Sequence, residues 1–211
     1  MNVIGSFLFC CMLISGFNPG SVSQIFTPPM SPDVYRKYIT DHQAKFTTQK
    51  SFGEKTFTLT YIPAELKIIN QFNKGFLDQF EAQQQLIDSK NKVNLLLHIQ
   101  FPQSENQDFI NYKPDTMTYE ARLKYLAFEM GNDMQLVDEK GRKLEILDCR
   151  FERDFGMTST ATFSIIANKN NTGNEITISI YDRIWDKDWK DLTFTLPKLP
   201  KLKKTTKWKK A

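Results

Sequence analysis

ATFSIIANKNNTGNEITISIYD, residues 161–182, gives the clearest indication of the fold. Apolar side chains recur at every second position in its two halves, 161–167 and 175–181, and a period of two is typical of a half-buried strand. Between the halves, 168–174 is rich in Asn and contains Gly173, which predicts a turn. Two strands follow each other here with no helix between them, and that order argues against a parallel α/β sheet.

Other parts of the chain show the same pattern. Phe57, Leu59 and Tyr61 alternate with threonines, and 138–141 predicts a hairpin turn because its glycine can adopt a positive φ. Further strands are predicted over 93–101, 124–130, 134–137, 144–151 and 192–196. About eight short strands, six of them in the C-terminal half, indicate a β-sandwich or barrel. We expect a sandwich-like domain.

The segment 119–130 is ambiguous. Its apolar residues suit a helix at three- and four-residue spacing, whereas Leu126, Phe128 and Met130 suit a strand. We favour a strand from about Lys124, because everything after it has β-like patterns. Apolar strand positions then predict core residues, and those that we select are Leu59, Leu97, Phe128, Ile146, Phe163 and Ile178.

Two regions nearer the N-terminus have helical spacing. Ser31 can cap a helix that has Pro32 at its first position, and the apolar residues that follow share a face over roughly 32–45. A second helical region runs over 63–87, and its Asn-Lys-Gly sequence at 73–75 can divide it into two helices. The fold class that we predict is therefore α+β, mostly β: an antiparallel β-sandwich-like domain with N-terminal helices.

The first residues indicate where in the cell the protein is located. An apolar and small-residue run occupies 3–17, and no Lys or Arg precedes Arg36. The run has the length of a signal-peptide core and is shorter than the roughly 18–20 residues that cross a bilayer as a helix. Small residues two apart at 21–23 fit a signal-peptidase site, which makes Gln24 the expected mature N-terminus. The predicted organisation is a signal peptide over 1–23, a linker over 24–32, one α+β domain over 33–196 and a Lys-rich tail over 197–211.

Two cysteines allow a second interpretation of the N-terminus. A lipoprotein signal places its acylated cysteine just after the apolar stretch, whereas Cys10 and Cys11 lie inside the run. Lipidation at Cys10 or Cys11 is therefore the alternative to simple cleavage, and an uncleaved anchor or a buried segment is the third. Both signal interpretations predict export, to the periplasm, the outer membrane or the extracellular space.

Charge is unevenly distributed along the chain. The formal net charge is +4, yet seven lysines lie in the last fifteen residues with no acid among them, so the rest of the chain is mildly acidic. A basic tail can meet phosphate, anionic lipid or acidic polysaccharide, or it can be a solvated terminus. Nucleic acid is not an expected partner, because its recognition needs a basic face or a binding module on the folded body.

Motifs of catalysis, metal binding and cofactor binding are not found in the sequence. Neither His42 nor His98 lies in an HExxH motif or a Cys/His cluster, and there is no Gly-x-Ser-x-Gly. The segment 53–56 resembles the end of a phosphate loop, but Thr48 stands where that loop begins with Gly, and a helix is not expected to follow. Cys149 is interpreted as a small buried hydrophobe. We expect no catalytic residue, no metal site and no cofactor.

DRIWDKDWKD, residues 182–191, is the most distinctive exposed-looking stretch. Its four carboxylates can ligate calcium, and its two tryptophans can stack on a sugar. Alternatively, the tryptophans pack on the end of the sandwich and the charges are solvated. Trp185 and Trp189 lie four residues apart, so they would share a face in a helical turn or in a strand. The possible binding surface comprises Trp185, Asp186, Asp188, Trp189, Lys203 and Lys204.

Several segments carry a resemblance to a known group of proteins. These are YLAFEM at 125–130, DMQL at 133–136, FERDFG at 151–156 and LPKLPKLK at 196–203. Together they resemble uncharacterised exported proteins and lipoproteins of Bacteroidota, over roughly 120–203. The resemblance implies a location in the cell envelope and carries no known activity.

These observations lead to two functional hypotheses. The first is an exported cell-envelope protein that is not an enzyme and has a partner-binding or structural role. Its partner would be an envelope protein or a glycan, with membrane association through a lipid anchor or the basic tail. The alternative is a secreted hydrolase or carbohydrate-binding protein with a site near 182–191. A concave pocket with converging carboxylates would favour the alternative.

Overall fold

The computed structural model describes residues 29–102, 108–112, 117–153, 159–169, 173–203 and 208. The predicted signal peptide, Cys10, Cys11 and the tail residue Lys204 lie outside the described residues. So does much of FERDFG, from Asp154 onward.

The described strands form two antiparallel sheets that pack together, with helices, so the predicted sandwich-like α+β fold is confirmed. Five strands pair in the order β1-β2-β3-β7-β6, and four pair in the order β5-β4-β8-β9. The strands are β1 (Thr47–Phe52), β2 (Lys55–Tyr61), β3 (Lys92–Gln100), β4 (Met134–Asp138), β5 (Lys143–Leu144), β6 (Ile146–Glu152), β7 (Thr160–Asn168), β8 (Glu175–Asp182) and β9 (Asp188–Thr195). The core lies between the two sheets and under the helices.

Helices occupy the N-terminal part and one connection. They are α1 (Pro32–Asp41), α2 (Ala64–Asn73), α3 (Gln79–Asp88) and α4 (Tyr119–Lys124). As predicted, the second helical region is divided, and Gly75 adopts a φ of 77° in the turn between α2 and α3. Asp78 then starts α3 in a capping box with Glu81: the Asp78 carboxylate accepts from the Glu81 amide, and the Glu81 carboxylate accepts from the Asp78 amide.

The strand predicted over 124–130 is wrong, because this segment is helical. Thr118 caps α4, and a π-helical turn, Tyr125–Glu129, continues from it. Tyr125 and Leu126 are buried, whereas Phe128 is 80% exposed and is not a core residue. Strand periodicity would place residues 126 and 128 on one face, but a helical turn places them on nearly opposite sides.

The core predicted from strand register is otherwise largely confirmed. Leu59, Leu97, Phe163 and Ile178 are fully buried. Ile146 is only partly buried, because the chain changes sheets beside it: β5 belongs to the four-stranded sheet, and β6 starts an edge of the five-stranded sheet. The predicted single strand over 144–151 is therefore two strands.

The first strand was not predicted from the sequence. β1 reads TTQKSF and is mostly exposed, so it lacks the apolar alternation that marks the other strands. It pairs with β2 along its whole length, from Thr47 opposite Thr60 to Phe52 opposite Lys55. This edge strand brings the five-stranded sheet close to β9, where the Lys50 Nζ donates to the Asp191 carbonyl at 3.1 Å.

Candidate functional site

The stretch 182–191 is the turn from β8 into β9. Asp182 ends β8, Trp185 and Asp186 lie in the turn, and Asp188 and Trp189 begin β9. The turn reverses the chain so that Asp182 lies opposite Asp188, at the end of the β8–β9 ladder. It therefore sits at one end of the sandwich, where the two sheets meet.

Lys55 is the centre of an ion cluster that includes two of these carboxylates. Its side chain is only 2% exposed, and its Nζ contacts the Asp182 carboxylate, which is also buried. The same Nζ lies 2.9 Å from Asp186 Oδ2. Because β2 and β8 belong to different sheets, the Lys55–Asp182 pair links the two layers of the sandwich.

Lys190 extends the cluster toward solvent. Its Nζ lies 3.4 Å from Asp186 Oδ2 and 3.4 Å from Asp188 Oδ2. Partial burial raises the pKa of Asp186, but hydrogen bonds and charge from Lys55 and Lys190 outweigh that effect and hold the pKa below its ordinary value. The carboxylates in this turn are thus largely engaged by lysines.

Aromatic rings enclose the cluster. The Lys55 Nζ lies 5.2 Å from the centre of the Trp185 ring, a cation–π distance. That ring in turn packs on Phe101, with the centroids 4.6 Å apart. The Asp182 Oδ1 accepts from the Trp185 amide at 2.8 Å, which fixes the start of the turn. Trp185 therefore helps to exclude water from the pair that lies behind it.

The two tryptophans do not lie on one regular helix or strand, so the basis for expecting a shared face is wrong. Lys187 interrupts the segment with a φ of 53°. Trp185 faces the interior rings described above, with its Nε1 buried and without a hydrogen-bond partner among the described residues. Trp189 is 47% exposed and packs against Tyr181 of β8, with the ring centroids 5.4 Å apart. Only Trp189 offers a largely open indole.

The other residues that the sequence singled out lie in varied settings. The His42 Nδ1 lies 2.9 Å from the Tyr38 carbonyl, and the His98 Nδ1 lies 3.4 Å from the Thr162 hydroxyl. Cys149 is half-buried, and burial raises the pKa of its thiol to about 11. Among the described residues, no three His, Cys, Asp or Glu side chains are grouped so that they can hold a metal ion.

Lys203 lines a second feature, a groove of about 790 Å³ whose lining includes no described residue of the stretch 182–191. One wall of the groove is α3 and the other is the extended segment 199–203, and Trp208 also contributes to the lining. The groove lining is predominantly apolar and includes Pro29, Leu86, Ile87, Leu199, Leu202 and Trp208. Its volume falls within the range of ligand sites in proteins, about 300–1,000 Å³.

Two segments that are distant in sequence, 29–30 and 199–208, contribute to this groove. Met30 forms a parallel bridge with Leu202: the Met30 amide donates to the Lys201 carbonyl, and the Lys203 amide donates to the Met30 carbonyl. Trp208 is buried and packs edge-on against Phe72 of α2, with the centroids 5.3 Å apart. These contacts attach the start of the Lys-rich tail to the helical side of the fold.

Lys55 and Lys190 are the residues of the ion cluster that the sequence analysis did not select. The signal was present in the alternation of β2 and β9. Both lysines have the parity of the inward-facing residues of their strands, and both are buried. A charged residue at an inward position requires a partner of opposite charge, and the facing sheet supplies it.

Comparisons of the chain with family models, with curated proteins and with solved structures find no match. Within the described residues, no helix has both the length and the apolar character that a bilayer crossing requires.

Proposed function

We propose that this protein is an exported protein of the cell envelope that acts by binding and not by catalysis. The observation that carries the proposal is the groove between α3 and the segment 199–203. It is a large concave surface, and its lining is predominantly apolar. Such a lining suits the burial of an apolar group more than the chemistry of bond cleavage, which needs placed acids, bases or nucleophiles.

The state of the carboxylates in the turn 182–191 supports the same proposal. A glycosidase needs two carboxyl groups that flank a space for the substrate. Asp182 and Asp186 instead share the Lys55 ammonium, and Lys55 and Asp182 are almost inaccessible. In this arrangement the carboxylates balance a buried cation, which is a structural role.

The export part of the proposal is supported by the run at 3–17 and by the small residues at 21–23. The resemblance to exported proteins of Bacteroidota points in the same direction. The test is cell fractionation of the full chain followed by N-terminal sequencing. We expect an envelope protein that begins at Gln24 or at an acylated cysteine, and a cytoplasmic protein with an intact Met1 would contradict the proposal.

The binding part needs a separate test against the hydrolase alternative. Purified protein is assayed on ester, peptide and glycoside substrates, together with the Asp186→Asn variant. We expect no turnover above that of a buffer blank with either protein. Turnover that Asp186→Asn abolishes, while the variant keeps its fold by circular dichroism, would establish the hydrolase instead.

A second candidate function is glycan binding on the outer face of the four-stranded sheet. The specific observation is the open Trp189 ring, which is supported from behind by Tyr181. The exposed Asp191 lies two residues further along the same face of β9 and can accept hydrogen bonds from sugar hydroxyls. Retention on insoluble polysaccharide that Trp189→Ala removes, and that Phe128→Ala leaves intact, would favour this function.

A further inference from the structure

We propose that the face formed by α3 and by the segments 29–30 and 199–203 is a docking surface for an anionic membrane. The inference gives a partner to the envelope protein proposed above, and it rests on that proposal for its biological setting. We refer to this region as the α3 face. It comprises the exposed side of α3, the turn before it and the groove with its lysines.

The α3 face exposes large apolar side chains. Phe76 is 73% exposed, Phe80 is 76% exposed and Ile87 is 57% exposed. Phe80 and Ile87 are seven residues apart and therefore share one side of α3, while Phe76 lies in the turn four residues before Phe80. Clusters of this kind on a soluble domain mark contact sites, whereas single exposed apolar residues are common.

Positive charge lies beside one of these apolar side chains, Ile87. Lys90, Lys201 and Lys203 all line the groove with Ile87, and Glu65 is the only acid among the described residues of the lining. All three lysines are exposed. An apolar strip with lysines along its edge matches the chemistry of a membrane surface, which offers acyl chains below a layer of anionic headgroups.

The described acids of α3 and of its cap do not line the groove. Asp88 lines a separate depression on the opposite flank of the helix, together with Gln85. Asp78 and Glu81 bond to each other's amides in the capping box. The flank that meets the groove carries Gln83, Leu86 and Ile87 instead, so charge along α3 is distributed asymmetrically.

The segments that lead into and out of the fold at the α3 face also favour membrane docking. The Met30–Leu202 bridge places the N-terminal and C-terminal segments side by side at this face. The sequence that precedes Pro29 contains the apolar run with Cys10 and Cys11, and the sequence that follows Lys203 contains four more lysines. An apolar or acylated leader and a basic tail would therefore both join the fold on the side that carries Phe76 and Phe80.

Charge complementarity favours a membrane over a protein partner. Each lysine near an anionic bilayer strengthens binding by about 1 kcal/mol, or roughly fivefold. The three groove lysines would act additively with insertion of the phenylalanines. This combination of two weak attractions gives reversible attachment that is sensitive to salt and to lipid composition.

The test is sedimentation with vesicles of the purified mature chain, which begins at Gln24. Without residues 1–23, neither an acyl chain nor the apolar run at 3–17 can contribute to binding. One set of vesicles is phosphatidylcholine alone, and the other is an equal mixture of phosphatidylcholine and phosphatidylglycerol. We expect at least tenfold stronger binding to the mixed vesicles, weakened by added salt.

Two variants and their matched controls locate the surface. Phe76→Ser/Phe80→Ser and Lys90→Gln/Lys201→Gln/Lys203→Gln should each lower binding to the mixed vesicles at least tenfold. Phe128→Ser removes an equally exposed ring elsewhere, and Lys124→Gln/Lys140→Gln/Lys143→Gln removes three exposed lysines elsewhere. Both controls should bind within about threefold of the parent, since the attraction to the surface falls off within a Debye length.

Two results would overturn the inference. One is equal binding to both vesicle compositions, and the other is mixed-vesicle binding that the phenylalanine pair leaves unchanged. Circular dichroism and melting temperature verify that each variant is folded. Because the vesicle assay uses purified protein, its failure is distinct from a failure of export: an exported protein that ignores anionic vesicles keeps the proposed function and loses only this surface.

Discussion

The buried charge of Lys55 helps to determine how the two sheets pack against each other. Removing an ammonium from water costs several kcal/mol even after the protein relaxes, and only close carboxylates repay that cost. Asp182 and Asp186 approach it from the opposite sheet, and Trp185 covers it. The cluster therefore joins the sheets in one specific register, which a purely apolar seam would define less sharply.

Lys55→Met should destabilise the fold by about 3–5 kcal/mol, because it leaves the buried Asp182 carboxylate without its cation. Lys55→Met/Asp182→Asn removes both charges and keeps the oxygen that accepts from the Trp185 amide. We expect the double variant to be more stable than Lys55→Met alone. Urea unfolding at neutral pH measures both, and equal stability of the single and double variants would contradict the account of the cluster.

The cluster also predicts an acid-sensitive contribution from Asp186. Its pKa in the folded chain is below the ordinary value, so the folded state binds the proton more weakly than the unfolded state. The stabilisation is therefore complete above the unfolded pKa of about 4 and is lost as the pH falls through the folded pKa.

Asp186→Asn should accordingly lower the free energy of unfolding at pH 7 and have a smaller effect near pH 3. The measurement is urea unfolding of both proteins across this range. Asp191→Asn is the matched control, since its carboxylate is exposed on the same strand-turn unit. A cost for Asp186→Asn that is the same at both pH values would show that the charge of Asp186 is not stabilising.

Alternation could have revealed these residues before the structure. In β2, β8 and β9 the inward-facing apolar side chains form a row at every second position. The buried charges Lys55, Asp182 and Lys190 each lie two residues beyond the end of such a row, and they therefore face inward as well. Each apolar row ends two residues short of its charge, and the sequence therefore predicts 182–191 as a separate surface motif. The pairing of Lys55 with Asp182 could not be predicted, because 127 residues separate the partners and only the packing of the sheets brings them together.

At the scale of elements, the sequence was informative where alternation was clear and misleading where two periods overlapped. β3, β7 and β8 have buried residues at every second position, and each was predicted within a few residues. The segment 119–130 contains both periods, and its cap decides the outcome: the Thr118 Oγ1 accepts from the Ala121 amide and starts a helix.

Because this segment is helical, alanine substitutions at two nearby apolar residues should differ greatly in their cost to stability. Leu126→Ala should cost about 2–5 kcal/mol because Leu126 is buried. Phe128→Ala should change stability by less than about 0.5 kcal/mol because its ring lies in solvent. Thermal unfolding of the two variants distinguishes the alternatives, since a strand would make both substitutions costly.

In the molecule as a whole, two segments that are distant in sequence, 29–30 and 199–208, complete the helical side of the sandwich. The Met30–Leu202 bridge joins the two segments, and the Phe72–Trp208 contact attaches Trp208 to α2. Composition indicated only a basic tail, because a lysine-rich segment with one tryptophan has no period from which packing can be inferred. The groove exists only where this segment runs past α3.

Trp208 therefore belongs to the folded body, and its truncation should have a structural cost. Replacing a large aromatic residue of a core with Ala lowers the free energy of unfolding by roughly 3–5 kcal/mol. Because Trp208 lies near the end of the chain, we expect a value at the low end of that range. Trp189→Ala is the matched control, because its half-exposed ring should cost only about 1 kcal/mol. Urea unfolding of Trp208→Ala and Trp189→Ala tests the difference directly. If Trp208→Ala costs no more than Trp189→Ala, the tail does not stabilise the fold. In that case only α3 would form a fixed wall of the groove, and membrane docking by the α3 face would depend on the phenylalanines and Lys90 alone.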